Sequence, residues 1–498
     1  MCSARNKICL SRFAEALDRS ALAESAADLL EVRLDRQPEQ PFRTLREQAS
    51  LPLIATLRTV AEGGEFTGTP RQMAAVLQGA LAAGWDFVDI GYRYWEEVAP
   101  DLDFSPAEKL VLSAHLPHAD EGEIRKVAEE MLGHPAAVYK LIYTTEDAAD
   151  FYLVFQLAEF FRSRGKRFVV HAMGADAWSS RILGALAGNA WTYVSGNTGR
   201  ATAAGQLSLA EAEGVLGLRE MPADAKIVGL LGNPVRQSKG WLLHNRFLLT
   251  IRNDSAEAAK AVYLNFRTAR PEDFWQKMSD KIHALSVTIP YKQTAVGWAG
   301  QVMPEVEYSG AANSLLRGGG GWQASNGDVL AVRKILENYR DLLEGGVGIL
   351  GSGGAAAAVA VALKMLRVQK VVVLGRSAKK AARLAGRFGF ASGEIRDANQ
   401  LQLSALIQTT PVGTAPRIDE VLPVEKALKS VRFALEAVYN PAETRFLRMA
   451  RQNGAVTVRG VEWFLEQARL QAEWFYGLEV KPEAIRAVWN EISETKES

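Results

Sequence analysis

The chain has 498 residues, of which 48% are hydrophobic and 23% are charged, a mixture typical of folded globular proteins rather than disordered ones. Its 58 Lys and Arg residues against 57 Asp and Glu residues leave a formal net charge of +1, which offers no field for gathering nucleic acid or an anionic membrane. Two cysteines, Cys2 and Cys9, are too few for a disulfide framework or a four-thiolate zinc site. With no signal peptide and no apolar run near the roughly 20 residues of a membrane helix, we expect a soluble cytoplasmic protein.

The first 200 residues alternate short apolar runs with amphipathic stretches. The runs that we interpret as strands are Ile8–Leu10, Asp28–Leu34, Leu51–Leu57, Asp86–Ile90, Leu110–Ala114, Ala136–Ile142, Arg167–Ala172 and Ala190–Val194. Helical patterns lie between them, for example at Pro70–Ala83, Glu121–Leu132 and Glu146–Ser163. Eight strands alternating with helices predict a (β/α)8 barrel.

A second α/β pattern follows a helix end and linker near residues 210–225, and a third begins near Gly346. Their predicted strands are Ile227–Gly232, Ala261–Phe266, Ala284–Ile289, Asn313–Arg317, Val347–Leu350, Val371–Leu374, Leu406–Thr409 and Arg432–Val438, with a hairpin tip at Gly318–Gly321 and a helix at Val461–Tyr476. The sequence therefore predicts three parts: a barrel over 1–215, a substrate-binding domain over 222–330 that is completed by about 465–490, and a Rossmann nucleotide-binding domain over 331–464.

Charged side chains gather where the strands of the first half end, which is the face at which barrels carry their chemistry. Lys140 lies inside an apolar strand, and a desolvated lysine can lose its charge and attack a ketone as a neutral amine. His115 ends the preceding strand. Taken singly, Lys140 can equally be an ion-pair partner and His115 a core histidine. On adjacent strands of one barrel they suit a nucleophile and an acid/base.

The first half resembles type I 3-dehydroquinate dehydratases over residues 6–215. The matching motifs, in order, are Glu31-Val32-Arg33, Thr56-Leu57-Arg58, Glu62-Gly63-Gly64, Ser113-Ala114-His115, Tyr139-Lys140, Met173-Gly174, Ser180-Arg181 and Ala204-Gly205-Gln206. The resemblance implies that Lys140 forms an imine with the substrate ketone while His115 moves the protons. It further implies that Glu62 orients His115, that Arg181, Gln206 and Thr202 hold the substrate, and that Glu31, Arg33 and Arg58 line the site.

A glycine turn in the second half follows a strand and opens an alanine-rich helix. Gly351, Gly353, Gly354 and Ala355 would let a pyrophosphate approach the backbone at the amino end of that helix. The next strand ends in Arg376 and Ser377, and an arginine there suits the 2′-phosphate of NADP. An ordinary tight turn and a surface arginine are the alternatives. We expect NADP (NADPH) as the cofactor.

Residues 226–490 resemble shikimate dehydrogenases. The matching residues are Ser238, Thr288, Pro290-Tyr291-Lys292, Gly310-Ala311-Ala312-Asn313, Asn326-Gly327-Asp328, Thr409, Val438-Tyr439, Gly460 and Gln467. The resemblance implies Lys292 and Asp328 as the catalytic pair, Thr288, Asn313 and Gln467 as ligands of ring hydroxyls, and Ser238 and Tyr439 as ligands of the carboxylate. Thr409, Val438 and Gly460 would line the cofactor site. A surface ion pair is the alternative for Lys292 and Asp328.

The two resemblances together imply a bifunctional enzyme that makes 3-dehydroshikimate from 3-dehydroquinate and reduces it to shikimate. Gly240 stands where the family usually has a serine, and Gly327 where it has a threonine. These differences favour some activity on quinate or a preference for it, so a quinate or dual quinate/shikimate dehydrogenase is the alternative for the second half. A non-catalytic quinate or shikimate sensor and an unrelated imine-forming aldolase barrel remain as alternatives. The six histidines lack the spacing of a metal-ligand set, so we expect no metal, and we expect neither nucleic-acid nor membrane partners.

Overall fold

The computed structural model describes residues 5–17, 26–196, 201–252 and 260–494. The chain forms two compact units, Met1–His283 and Ala284–Ser498. Cys2 lies outside the described residues, whereas Cys9 is a buried free thiol. Across the described ranges, no helix is both long enough and apolar enough to cross a membrane.

Eight parallel strands build the first sheet. They are β1 (Ile8–Phe13), β2 (Leu29–Arg33), β3 (Leu53–Thr56), β4 (Phe87–Gly91), β5 (Leu110–Leu116), β6 (Val138–Thr144), β7 (Phe168–Met173) and β8 (Thr192–Ser195). Their order is β7-β6-β5-β4-β3-β2-β1-β8, so β8 pairs with β1 as the last strand of a barrel does. All eight predicted strands are confirmed, with ends that move by no more than three residues.

The seam between β7 and β8 is bridged just before β8 begins. The backbone N–H of Ala190 donates to the carbonyl of Phe168 over 2.7 Å. The Asn189 side chain makes two further hydrogen bonds to the backbone of Val170, 2.9 Å to its N–H and 3.1 Å to its carbonyl. An amide side chain thereby replaces part of the strand ladder, which keeps the backbone groups at the seam paired.

The helices of the barrel lie between its strands. They are α1 (Phe42–Gln48), α2 (Pro70–Ala82), α3 (Trp95–Val98), α4 (Pro106–Lys109), α5 (Glu121–Met131), α6 (Tyr152–Arg162), α7 (Trp178–Leu186) and α8 (Leu209–Gly214). The predicted helices starting at Pro70 and Glu121 are confirmed. The helix predicted over Glu146–Ser163 starts only at Tyr152, because the side chain of Asp147 accepts a hydrogen bond from Ala149 N–H and holds a short turn before it.

The first unit continues beyond the barrel with β9 (Lys226–Gly232), α9 (Gly240–Ile251), β10 (Ala261–Arg267) and α10 (Pro271–Met278), and β9 and β10 pair in parallel. Side chains after β10 hold the loop that follows β6. Thr268 Oγ1 donates to Asp147 over 2.6 Å, and Arg270 pairs with Asp150 over 2.6 Å. Deeper in the unit, Ser179 of α7 exchanges two hydrogen bonds with the backbone of Asn265.

The second unit contains a small antiparallel hairpin that positions one of the candidate sites. The strands here are β11 (Ile282–Val287), β12 (Gln301–Val302), β13 (Ser314–Gly318) and β14 (Gly321–Ser325), with β13 pairing antiparallel to both β11 and β14. The hairpin tip predicted at Gly318–Gly321 is confirmed. The helices α11 (Pro304–Ser309) and α12 (Gly327–Glu337) flank the hairpin in the chain.

A doubly wound parallel sheet forms the rest of this unit. Its strands are β15 (Val347–Leu350), β16 (Val371–Gly375), β17 (Ala391–Glu394), β18 (Ala405–Gln408), β19 (Phe433–Glu436) and β20 (Val456–Val458), in the order β17-β16-β15-β18-β19-β20. That is the strand order of a Rossmann fold. The predicted strands are confirmed. The sequence missed β17 and β20, since Ala-Ser-Gly-Glu is polar and half-exposed and β20 has only three residues.

The helices of this sheet are α13 (Gly354–Met365), α14 (Ala378–Gly386), α15 (Glu425–Leu428), α16 (Arg445–Gln452), α17 (Gly460–Tyr476) and α18 (Pro482–Glu494). The predicted helix at Val461–Tyr476 is confirmed as α17. Small side chains along α13, from Ala356 to Leu363, are buried and bring this helix close to the sheet.

A carboxyl group is buried at the end of β19. Glu436 is fully buried and accepts hydrogen bonds from the hydroxyl and the N–H of Thr444. Burial raises its pKa from 4.5 to about 7, against the smaller opposing effect of those hydrogen bonds. Because the folded protein holds this proton more tightly than the unfolded chain, the free energy of unfolding falls as pH rises from about 4.5 through 7.

We expect Glu436→Gln to stabilise the protein at alkaline pH by on the order of 2 kcal/mol, because the amide cannot acquire the buried charge. Urea unfolding at about pH 5 and about pH 8 measures the effect. The exposed Glu337→Gln serves as the matched control. An unchanged pH dependence in Glu436→Gln would show that this carboxyl is not the titrating group.

Candidate active sites

A buried ammonium group occupies the interior of the barrel. Lys140 lies on β6, and its Nζ is 3.2 Å from Glu31 Oε1 and 3.0 Å from Asp89 Oδ2. The same Nζ is 4.2 Å from the ring centroid of Tyr193. The alternation of side chains along β2, β4 and β6 turns these groups toward the barrel axis. The sequence leaves open an ion-pair partner or a nucleophilic amine at position 140, and the structure holds Lys140 in an ion-paired cluster.

The two carboxylates beside Lys140 have polar partners of their own. Thr56 and Ser11 donate hydroxyl hydrogen bonds to Glu31, while Ser113 and Arg58 donate to Asp89. Burial alone would raise the pKa of Asp89, but Arg58 and Lys140 outweigh it and lower that pKa to about 2. Both carboxylates are therefore suited to remain ionised inside the barrel.

His115 at the end of β5 is a neutral imidazole beside this cluster. Burial lowers its pKa well below the ordinary value, and the charges of Arg58 and Lys140 lower it further. Its Nδ1 is buried with no hydrogen-bond partner among the described residues. Glu62, which the resemblance implies to orient or tune His115, accepts hydrogen bonds from Arg58, over 3.3 Å, and from Thr59.

Arg181 on α7 is buried in this site, and its hydrogen bonds go to neutral groups. Its Nε donates to the carbonyl of Gly205 over 3.0 Å, and its Nη1 lies 3.1 Å from Nε2 of His171. Burial lowers the pKa of Arg181 to about 10. Arg33 and Arg58, in contrast, pair directly with carboxylates. A buried guanidinium that lacks a counter-ion is suited to bind an anion.

All nine residues predicted for the barrel line one cavity of about 460 Å³. They are Glu31, Arg33, Arg58, Glu62, His115, Lys140, Arg181, Thr202 and Gln206. His171 and Tyr193 line it too and were missed. His171 could have been predicted from the sequence, because it lies two residues before Met173 and therefore on the same face of β7.

The second unit contains a lysine–aspartate pair. Lys292 Nζ lies 2.6 Å from Asp328 Oδ2, and both side chains are partly exposed. Asn326 caps α12 by accepting a hydrogen bond from Val329 N–H, which places Asp328 in the first turn of that helix. Trp463 Nε1 donates to the carbonyl of Asp328 over 3.0 Å. The predicted pair is therefore brought together at the amino end of a helix.

Two of the residues predicted to bind a substrate ring, Asn313 and Gln467, lie around Gly327. Asn313 Oδ1 accepts a hydrogen bond from Gly327 N–H over 2.7 Å, and a Cβ at position 327 would lie 3.5 Å from Gln467 Cγ. Thr288 follows β11 and is half-buried. Tyr439 stacks on Phe464, with ring centroids 5.2 Å apart.

Ser238 and Gly240 lie in the first unit, where α9 begins. Gly240 N–H donates to Ser238 Oγ over 3.2 Å, at the start of α9. A Cβ at position 240 would lie 3.6 Å from the hydroxyl of Tyr263. His244 is buried and stacks on the Tyr263 ring, with ring centroids 4.4 Å apart, so it packs α9 against β10.

The glycine turn after β15 lines two cavities of the second unit. Gly353 and Gly354 line a cavity of about 800 Å³ together with Lys292 and Asp328. Gly351, Arg376, Ser377 and Thr409 line a second one of about 710 Å³. Lys380 lines both and was missed; it lies in the first turn of α14, shortly after Arg376 and Ser377.

The backbone of this turn fits a phosphate-bearing cofactor. Gly351 has a φ of +128°, and a Cβ there would lie 2.4 Å from Thr409 Oγ1, so the turn requires glycine. Cβ atoms at Gly353 and Gly354 would meet nothing within 4 Å, which leaves the amino end of α13 open to an approaching anion. Gly460 is equally constrained, since its Cβ would lie 2.1 Å from the carbonyl oxygen of Val438.

Ala355 is half-buried in the first turn of α13. Within the described ranges, no group of three or more His, Cys, Asp or Glu side chains is arranged to hold a metal ion.

Comparison with known proteins agrees with this geometry. Residues 8–222 match the type I 3-dehydroquinase family, and residues 230–315 match the shikimate dehydrogenase substrate binding domain. The chain is 28% identical over 509 residues to a bifunctional 3-dehydroquinate dehydratase/shikimate dehydrogenase, chloroplastic, of Arabidopsis thaliana, covering 95% of this chain and 82% of that one.

It is also 34% identical over 282 residues to a shikimate dehydrogenase (NADP(+)) of Synechocystis, covering 52% of this chain and 93% of that protein. A crystal structure of shikimate 5-dehydrogenase from Listeria monocytogenes shares the fold, with a TM-score of 0.50 and 21% identity over 54% of this chain and 98% of that one. The chain therefore belongs to the shikimate dehydrogenase family, and its N-terminal half carries a type I 3-dehydroquinase barrel.

Proposed function

We propose that the chain is a bifunctional enzyme that dehydrates 3-dehydroquinate to 3-dehydroshikimate and then reduces 3-dehydroshikimate to shikimate with NADPH. The observation that carries this function is the single barrel cavity in which Lys140, His115 and Arg181 meet. The Lys292–Asp328 pair beside the glycine turn supports the second activity. The product of the first reaction is the substrate of the second, so one chain carries two consecutive steps. We also propose the predicted three-part domain division and a cytoplasmic location.

Imine formation starts from the ion-paired ammonium of Lys140. The ammonium of Lys140 first releases a proton to solvent, because only the neutral amine is nucleophilic, while Glu31 and Asp89 stay ionised beside it. The amine nitrogen adds to the C3 carbonyl carbon of 3-dehydroquinate, and the carbonyl oxygen leaves as water. The resulting iminium at C3 can accept the electron pair that the next step releases.

His115 then moves the protons of the elimination. As a neutral imidazole it removes the proton at C2, and the electron pair moves toward the iminium nitrogen. The C1–oxygen bond breaks, and the imidazolium of His115 gives its proton to the departing hydroxyl, which leaves as water. Hydrolysis of the imine releases 3-dehydroshikimate and restores Lys140.

The remaining barrel residues bind and orient the substrate in this proposal. Arg181 holds the carboxylate, while Thr202 and Gln206, joined by a hydrogen bond of 3.1 Å, face the ring hydroxyls. Glu31, Arg33 and Arg58 line the site beside the imine. Glu62 acts on His115 through the Arg58 charge that it contacts rather than by direct contact.

We expect borohydride to trap a covalent adduct on Lys140 when 3-dehydroquinate is present, because reduction fixes the imine as a stable amine. Mass spectrometry of proteolytic peptides measures the adduct. Lys140→Ala abolishes it and lowers kcat by at least about 10³-fold, whereas the exposed Lys126→Ala leaves both unchanged. An adduct that persists in Lys140→Ala would overturn the mechanism, and cleavage of a carbon–carbon bond would favour the aldolase alternative.

The dehydrogenase half needs a proton donor beside a ketone. NADPH, when bound, supplies the hydride that converts the C3 ketone to an alkoxide. Lys292 delivers a proton to that oxygen, and Asp328, 2.6 Å away, holds the ammonium in place. Asn313, Thr288 and Gln467 bind ring hydroxyls, and Ser238 and Tyr439 bind the carboxylate.

The cofactor residues divide by the part of NADP that they face in this proposal. Gly351, Gly353, Gly354 and Ala355 receive the pyrophosphate, and Arg376 and Ser377 receive the 2′-phosphate, with Lys380 beside them. Thr409, Val438 and Gly460 line the remainder of the site.

We expect Asp328→Asn and Lys292→Ala each to lower kcat for dehydroshikimate reduction by about 10²-fold or more, since each removes a member of the proton-donating pair. The fall in NADPH absorbance on adding dehydroshikimate measures the rate. Lys429→Ala, an exposed lysine of the same unit, controls for loss of charge. Wild-type protein that oxidises no NADPH would support the alternative of a non-catalytic sensor.

Quinate is a second candidate substrate, favoured by two glycines. A Cβ at position 327 would find only ordinary contacts at 3.5 Å or more, so this site has room for a larger substrate. Gly240 likewise removes the serine hydroxyl that the family provides for the carboxylate. Quinate carries a hydroxyl at C1 and has a saturated ring where shikimate has a C1–C2 double bond, and the small residues would accommodate that hydroxyl.

We expect NADP+ reduction with quinate as well as with shikimate, and a quinate-to-shikimate ratio of kcat/KM that falls about tenfold in Gly240→Ser, which restores one hydroxyl donor. Steady-state assays with each acid measure the ratio. Gly214→Ser in α8 is the control, because a Cβ there meets nothing. The quinate proposal fails if saturating quinate gives no turnover.

A further inference from the structure

We propose that His171 is a positioning residue of the dehydratase, whose neutral imidazole holds the Arg181 guanidinium where it receives the substrate carboxylate. The inference rests on the proposed function, because it requires that Arg181 binds that carboxylate. His171 lies on β7, lines the barrel cavity and is 4% exposed. No step of the proposed reaction uses it.

The contacts of His171 determine which of its nitrogens carries the proton. Nδ1 lies 2.9 Å from the carbonyl oxygen of Ala172, which can only accept, so Nδ1 is the donor. Nε2 lies 3.1 Å from Nη1 of Arg181, which can only donate, so Nε2 is the acceptor. Both bonds exist together only in the neutral imidazole. Burial, followed by the Arg181 charge, lowers the pKa of His171 and favours that form.

The hydrogen bonds of Arg181 leave two donors for a ligand. A guanidinium has five N–H groups. Nε donates to Gly205, one N–H of Nη1 to His171, and one of Nη2 to Ala204 over 3.4 Å. One N–H on each Nη remains without a partner among the described residues. Two such groups match the two oxygens of a carboxylate.

A neutral acceptor suits this position better than a charged one. Arg33 and Arg58 of the same cavity are held by Asp35 and Asp89, and their charges are thereby compensated. Histidine fixes the Arg181 guanidinium through a hydrogen bond without cancelling its charge. The full attraction for an incoming anion is therefore preserved, in a site where burial makes that attraction strong.

Two substitutions distinguish the effect of the His171 hydrogen bond from the effect of its side-chain packing. His171→Met fills a similar volume without a strong acceptor, while His171→Gln can place an amide oxygen near the position of Nε2. We expect His171→Met to raise KM for 3-dehydroquinate about tenfold with little change in kcat, and His171→Gln to retain most of the wild-type KM. The exposed His118→Met is the matched control.

A double-mutant cycle tests whether the effect passes through Arg181. Arg181→Lys keeps the positive charge but loses the planar fork that His171 holds. We expect His171→Met to add less than about twofold to KM in the Arg181→Lys background. A merely structural role of His171 would instead give the same cost in both backgrounds.

Two further measurements on each variant protein serve as internal controls. NADPH oxidation with dehydroshikimate reports that the rest of the chain is folded, and borohydride trapping on Lys140 at saturating 3-dehydroquinate reports that the imine still forms. A wild-type KM in His171→Met, equal losses in the Met and Gln variants, or additive effects in the cycle would each overturn the inference. Failure of trapping in the wild-type protein would instead overturn the proposed dehydratase function.

Discussion

The ion-paired cluster around Lys140 is the arrangement on which the barrel site depends. Burying a single charge in a protein interior is costly, and a pair survives there only when hydrogen bonds satisfy both partners. Here one ammonium contacts Glu31 and Asp89, and each carboxylate has further hydroxyl or guanidinium partners. Removal of any one member leaves another uncompensated, so these side chains hold each other in place.

The two lysines assigned to chemistry lie in different surroundings, and the difference fits their tasks. Lys140 is enclosed, with a side chain 6% exposed and two ionised carboxylate partners. Lys292 is 31% exposed and has one partner, Asp328, in the first turn of a helix. An enclosed lysine suits nucleophilic attack once it has lost a proton, whereas an accessible ammonium suits repeated delivery of protons that solvent can replace.

Arginines in the barrel likewise separate into two roles. Arg33 and Arg58 are paired with carboxylates and therefore help to keep the site ionised and ordered. Arg181 contacts a histidine and backbone carbonyls, so its charge stays available to a ligand. A parallel barrel brings these residues together because the carboxyl ends of its strands, and the loops that follow them, meet at one face.

Apolar periodicity determined the barrel strands and the main strands of the Rossmann sheet, because buried parallel strands appear as short apolar runs. Polar or very short strands such as β17 and β20 lack that signal, and the start of α6 depends on hydrogen bonds from Asp147. Strand-end position drew attention to Lys140 and His115, and the resemblance to two families made these two residues, Lys292 and Asp328 candidate site residues. Neither could reveal that Lys140 is ion-paired or that His171 contacts Arg181, since those contacts join residues on different strands and helices. The contact of Glu62 with Arg58, four residues earlier in the same loop, was not predicted either. Side-chain identity is local information, whereas charge compensation and tautomer choice follow from which groups the folded chain places within hydrogen-bonding distance.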